Sequence, residues 1–147
     1  MKLNTVDDVV ASYREYNGVE PSEPTTLSQL AYDEIERVCD EYEVPITPHM
    51  IGVMEFDSQN TNSPTVLADA CPLGCGLYEA HRGEWTVEKK PRGYFIGIYP
   101  TLTERPIAEI RSVVRHEIAH IVNWHIYRYT VEQRGVHAEW LNRLDSC

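Results

Sequence analysis

Ile107-Ala-Glu-Ile-Arg-Ser-Val-Val-Arg-His-Glu-Ile-Ala-His120 is the stretch on which the rest of the chain depends. An α-helix turns about 100° per residue, so with His116 at zero, Val113, Trp124, Ile110, Ile121, Val114, Ile107 and Ile118 span about 60° to 200°. Arg111, Arg115, Ser112 and Ala119 lie opposite. The spacing predicts a buried amphipathic helix with one apolar stripe. Thr103 is a candidate cap, and Pro106 suits a first turn, where a missing N–H breaks no bond.

His116 and His120 are separated by four residues, hence by about 40°, and sit at the edge of the stripe, where a cleft can reach them. Two imidazoles so placed can share one Zn²⁺, and Glu117 can take a proton from an attacking water. H-E-x-x-H also arises by chance, but chance has no reason to set it on the margin of an apolar helix. Zinc in a hydrolase usually keeps three protein ligands. The metzincin continuation is excluded, because Asn123 and Ile126 stand where it needs Gly and His. His125 falls inside the apolar stripe and reads as a hydrogen-bonded core histidine. His137 and Glu139, beyond a polar break at Tyr127–Gly135, are the rival third ligands. Imidazole is the commonest protein metal ligand, which favours His137. Tyr127, Tyr129 and Arg134 are candidate donors to an oxyanion. A zinc-stapled binding or assembly module that performs no catalysis is the alternative, since ligands alone do not prove turnover.

Ahead of this helix lie two others and a run of strands. Thr5-Val6-Asp7-Asp8 has the form of a capping box for a helix over Val6–Tyr16, and Gly18 can end it. Pro21 and Pro24 mark a linker. Thr26-Leu27-Ser28-Gln29 offers a second capping box, for a helix over Leu27–Glu43. Residues 1–25 thus read as an N-terminal helix and linker, and 26–147 as the domain that carries the site. Met50–Phe56 and Thr65–Ala70 read as strands around a loop at Asp57–Pro64, and Pro72–Gly76 as a turn. Leu77–His81 and Trp85–Glu88 follow as short strands around an Arg82-Gly83 turn. Tyr94–Tyr99 is the clearest strand, and its edge could hold a peptide substrate by strand addition. The expected fold class is α+β, a small, mostly antiparallel sheet packed with helices. Val136–Leu144 reads as the last helix.

The totals narrow the function classes. A 42% apolar fraction over 147 residues permits a core, and no apolar run is long enough for a transmembrane helix. The acidic start, Met1–Asp8, is unlike a signal peptide, so an intracellular, cytoplasmic or particle-borne protein is expected. A net charge of −10 argues against a broad grip on nucleic acid, although Arg105, Arg111, Arg115, Arg128, Arg134 and Arg143 leave room for a local basic strip. Cys71 and Cys75 lack a second pair at metal-ligand spacing and read, with Cys39, as reduced thiols.

Taken together, the motifs resemble the SprT-like family, which includes the Spartan proteases. Cys75-Gly-Leu-Tyr-Glu-Ala-His-Arg-Gly83 is similar to its turn-and-strand segment, and Phe95-Ile-Gly-Ile-Tyr-Pro-Thr-Leu102 to the strand leading to its active-site helix. Val114-Arg-His-Glu-Ile-Ala-His120 resembles that helix, and Gly135-Val-His-Ala-Glu-Trp140 its later histidine segment, with Ala138 where the family usually has Gly. The resemblance covers about Leu27 to Leu144. It implies a zincin-like α+β fold with H-E-x-x-H on a central helix. It implies His116, His120 and His137 as Zn²⁺ ligands, Glu117 as catalytic base, and a metalloendopeptidase acting on protein substrates. The Spartan branch digests proteins crosslinked to DNA. The negative charge, and the lack of a zinc ribbon or DNA-binding tail, put that role in doubt here and suggest a compact form suited to a phage or mobile element.

Overall fold

The computed structural model describes residues 5–81, 84–127 and 134–145, with the backbone alone at 77–81, 84–87, 127, 134–138 and 145. Helix α1 (Val6–Ser12) starts with the expected capping box: Thr5 Oγ1 accepts from Asp8 N, and Thr5 N donates to Asp8 Oδ2, each at 3.1 Å. A π-turn (Tyr13–Asn17) extends the helix, and Gly18 closes it at φ +66°, a left-handed value that favours glycine.

Helix α2 (Thr26–Glu41) is capped one residue earlier than the sequence suggests. Thr25 Oγ1 accepts from Leu27 N, while Glu55 accepts from Thr25 N (2.6 Å), Thr25 Oγ1 (2.7 Å) and Ser28 Oγ. Glu55 ends strand β1 (Ile51–Glu55), so one buried carboxylate ties the sheet to the start of α2. That long-range partner selects Thr25 over Thr26. The C-terminal end also comes early, at Glu41, and Glu43 takes a left-handed φ of 50°.

Strands β1, β2 (Ala68–Leu73) and β5 (Gly93–Ile98) form one sheet in the order β1-β5-β2; β3 (Leu77–His81) and β4 (Glu84–Val87) form a separate antiparallel hairpin. The expected Arg82-Gly83 turn lies outside the described residues. The three-stranded sheet is mixed, not mostly antiparallel: β5 runs parallel to β1 and antiparallel to β2. A strand's own residues carry its periodicity but not the identity of its neighbours. β2 also runs on through Pro72, which the sequence pattern assigns to a turn, opposite Tyr94. β2 is an edge strand, where a missing N–H costs no ladder bond if it faces outward.

Alternation along the strands divides the apolar residues between two faces. Ile51, Tyr94, Ile96 and Ile98 pack with Ala31, Ile35 and Val38 of α2 and with α3 and α4. On the other face Phe56, Cys71, Cys75 and Tyr99 pack with Val9 and Tyr13 of the N-terminal helix. Asp69, on β2, accepts from Tyr13 Oη (2.5 Å) and Tyr99 Oη (2.8 Å) there. Cys39, Cys71 and Cys75 take part in no disulfide among the described residues.

After β5 a 3₁₀ turn (Pro100–Glu104) leads to α3 (Ile107–Tyr127). Thr103 does not cap α3; its hydroxyl donates to Pro100 O within the 3₁₀ turn. α3 is the central helix, with Val114, Ile118, Ala119, Ile121 and Val122 fully enclosed. Its stripe differs from the sequence expectation at both ends. Ile107 is 61% exposed, and Ala119, placed on the polar side by periodicity, is at 0%. The cause is α2, which covers the Arg115–Ala119 side. There Glu34, 2% exposed, accepts from Arg115 Nη1 at 3.0 Å and from Arg37. α4 (Arg134–Asp145) packs on α3 through Trp140 and Leu144. No helix among the described residues is long and apolar enough to cross a membrane.

Candidate metal centre

α3 carries the histidine pair on its remaining open side. Local sequence makes this segment helical: residues 107–127 contain no Gly or Pro, the two residue types least favourable in a helix interior. The four-residue spacing brings His116 Nε2 and His120 Nε2 to 3.0 Å, with the rings crossing at 77°. Two imidazole nitrogens on a tetrahedral zinc with bonds of 2.0–2.1 Å stand about 3.3 Å apart. The pair therefore fits a shared ion with a few tenths of an ångström of adjustment. Without an ion, one ring in its Nε2–H tautomer can donate to the other at this separation.

Glu117 is 6% exposed, and its carboxylate and the two imidazoles offer ligand atoms that all lie within 4.8 Å of one another. Among the described residues they are the group of three that could hold a metal. Trp124 stacks on His120, with centroids 6.3 Å apart at 29°, which limits rotation of that imidazole. On the far side of the helix the Arg115–Glu34 bridge fixes the rotation of α3 against α2 at the residue preceding His116.

No protein-family model, curated protein or solved structure matches this chain. The SprT-like resemblance thus stands on the quoted motifs and the site on its own geometry.

The other sequence candidates divide clearly. His125 Nδ1 meets Tyr94 Oη at 2.6 Å, the core role expected for it, and burial followed by the charge of Lys90 lowers its pKa. Glu139 is exposed on α4. His137 lies in α4, three residues before Trp140 and seven before Leu144, with its side chain outside the described residues. The side chains of Tyr127, Tyr129 and Arg134 are likewise outside them. The peptide-holding role given to the β5 edge is corrected: β5 is the middle strand, and both its edges are already hydrogen-bonded. Its Y-F-I-G-I-Y composition signals a buried strand but cannot distinguish a centre from an edge.

Sequence periodicity overlooked Asn123. At about 340° on the wheel it shares the histidine side of α3. It is 1% exposed, and neither end of its amide has a partner among the described residues. The i, i+3 relation to His120 was the available signal.

Proposed function

We propose that this chain is a zinc-dependent metallopeptidase of the SprT-like type, hydrolysing peptide bonds in protein substrates. The observation that carries this reading is the convergence of His116 Nε2 and His120 Nε2 at 3.0 Å beside the buried Glu117 carboxylate. His116, His120 and His137 would hold the ion. Position 137 belongs to α4, the helix that packs on α3 through Trp140 and Leu144. Zinc, when bound, supplies a Lewis acid that acidifies water and polarises a carbonyl. Glu117 accepts the proton of the attacking water and passes it to the leaving amine. Its burial keeps the carboxylate in a low-dielectric setting, where charge interactions are strong. Trp124 and the Arg115–Glu34 bridge act as positioning groups.

Glu117→Gln tests the reading, because it preserves shape and removes the base. Zinc content should stay at the wild-type level while hydrolysis of an unfolded protein substrate falls about 10²–10⁴-fold. If wild type and Glu117→Gln cleave equally, the enzyme reading fails. Retained zinc with no turnover in either leaves the zinc-stapled binding module.

A further inference from the structure

Two of the arginines that collect late in an acidic chain, Arg111 and Arg115, lie on the side of α3 away from the histidine pair. Arg111 and Arg115 project from α3 toward Arg37 of α2, and the three line, with Ala108, an open groove of ≈ 350 Å³. Glu34 lies at its base. Its carboxylate accepts from Arg115 Nη1 (3.0 Å) and from Arg37 Nε (3.3 Å) and Nη2, and Arg37 also bonds Glu41 at 2.8 Å. Arg111 comes no closer to Glu34 than 4.0 Å, beyond hydrogen-bonding distance, and its side chain is 45% exposed. Arg115 Nε is buried with no acceptor. Among the described residues, Arg111 thus makes no hydrogen bond and keeps its N–H donors for a ligand.

We propose that this groove between α2 and α3 binds a single phosphoryl group, as free phosphate or a phosphate monoester. Guanidinium forks match oxyanions, and a phosphoryl group offers at least three terminal oxygens to the lining arginines, Arg111 first among them. Its charge of about −1.5 to −2 exceeds what a carboxylate brings to such a site. Ala108, the small residue of the lining, leaves the groove open to a ligand of this size. A polyanionic strand is disfavoured, because a net charge of −10 repels it outside the groove.

Calorimetric titration of the full chain at constant ionic strength tests this, with inorganic phosphate, O-phosphoserine and a short thymidine oligonucleotide as probes. One saturable site for inorganic phosphate and O-phosphoserine is expected, weakened about tenfold or more by Arg111→Ala. That variant should fold, because Arg111 is half-exposed and alanine is the best helix former. Equal affinity with and without added Zn²⁺ separates the groove from the histidine pair and keeps this result independent of the peptidase reading. No saturable binding, binding unchanged in Arg111→Ala, or binding that requires zinc overturns the proposal. An oligonucleotide that binds tighter than O-phosphoserine and is lost in Arg111→Ala overturns the single-phosphoryl assignment in favour of nucleic acid.

Discussion

Replacing Glu34 with Leu should loosen the helix that carries the site. The carboxylate is 2% exposed and takes hydrogen bonds from Arg115 and Arg37, and Arg115 is itself only 12% exposed. Glu34→Leu removes the anion and leaves the Arg115 guanidinium buried and unpaired. Removing one partner of a buried pair costs about 3–5 kcal/mol. For a chain of this size each kcal/mol lowers Tm by about 2–4 °C, so a fall of about 6–20 °C is expected. The double variant Glu34→Leu/Arg115→Met removes both charges and should recover most of the loss, because a packed apolar pair is often neutral relative to the ion pair. Urea unfolding followed by circular dichroism measures all three proteins. Burial alone would raise the Glu34 carboxyl, but bonds and charge from Arg37 and Arg115 outweigh it and hold its pKa below 4.5. The stabilisation is therefore present above about pH 4.5 and fades as pH falls through the lowered folded value, so the wild-type advantage should shrink in acid. A single-variant loss under about 1 kcal/mol, or a double variant no better than the single, would refute this account of α3.

Asp69 should titrate the opposite way. Burial raises its pKa to about 6, against the lowering effect of the Tyr13 and Tyr99 hydrogen bonds. Its folded-state proton is retained above the ordinary value of 3.8, so its favourable contribution is complete below that value and lost as pH rises through about 6. Asp69→Asn should thus gain up to about 2–3 kcal/mol relative to wild type between about pH 4 and pH 7, read as Tm against pH; a pH-independent difference would contradict the burial argument. A side chain at Gly97 would put its Cβ 2.6 Å from Asp69 Oδ1 and 2.8 Å from Phe56 Cε2. Gly97→Ala should cost about 1–3 kcal/mol in urea unfolding, and a neutral result would mean that the sheet relaxes there freely.

Features set by short-range rules could be read from the chain alone. The Thr5–Asp8 box, the Gly18 stop, the strand at Tyr94–Ile98 and the helical convergence of His116 and His120 depend on spacings of four residues or fewer, or on alternation. His125 was placed correctly because its wheel angle put it among apolar residues, and Tyr94 supplies the partner. What escaped depends on distant partners. Thr25 caps α2 because Glu55, thirty residues on, holds it. β5 lies between β1 and β2, which local alternation cannot reveal. Arg115 looked like a solvated residue until α2 brought Glu34 over it, and the same packing buried Ala119. In the site, the histidine pair and Glu117 were legible from the motif and its helix, whereas Asn123 needed the burial that neighbouring elements impose.

Metal content tests the central claim most directly. After incubation with Zn²⁺ and exhaustive dialysis, mass spectrometry should find one zinc per chain in wild type and in Glu117→Gln, and almost none in His116→Ala, which lacks one of the two nitrogens now 3.0 Å apart. A folded wild-type chain that retains no zinc, or a His116→Ala chain that retains it fully, would contradict the account.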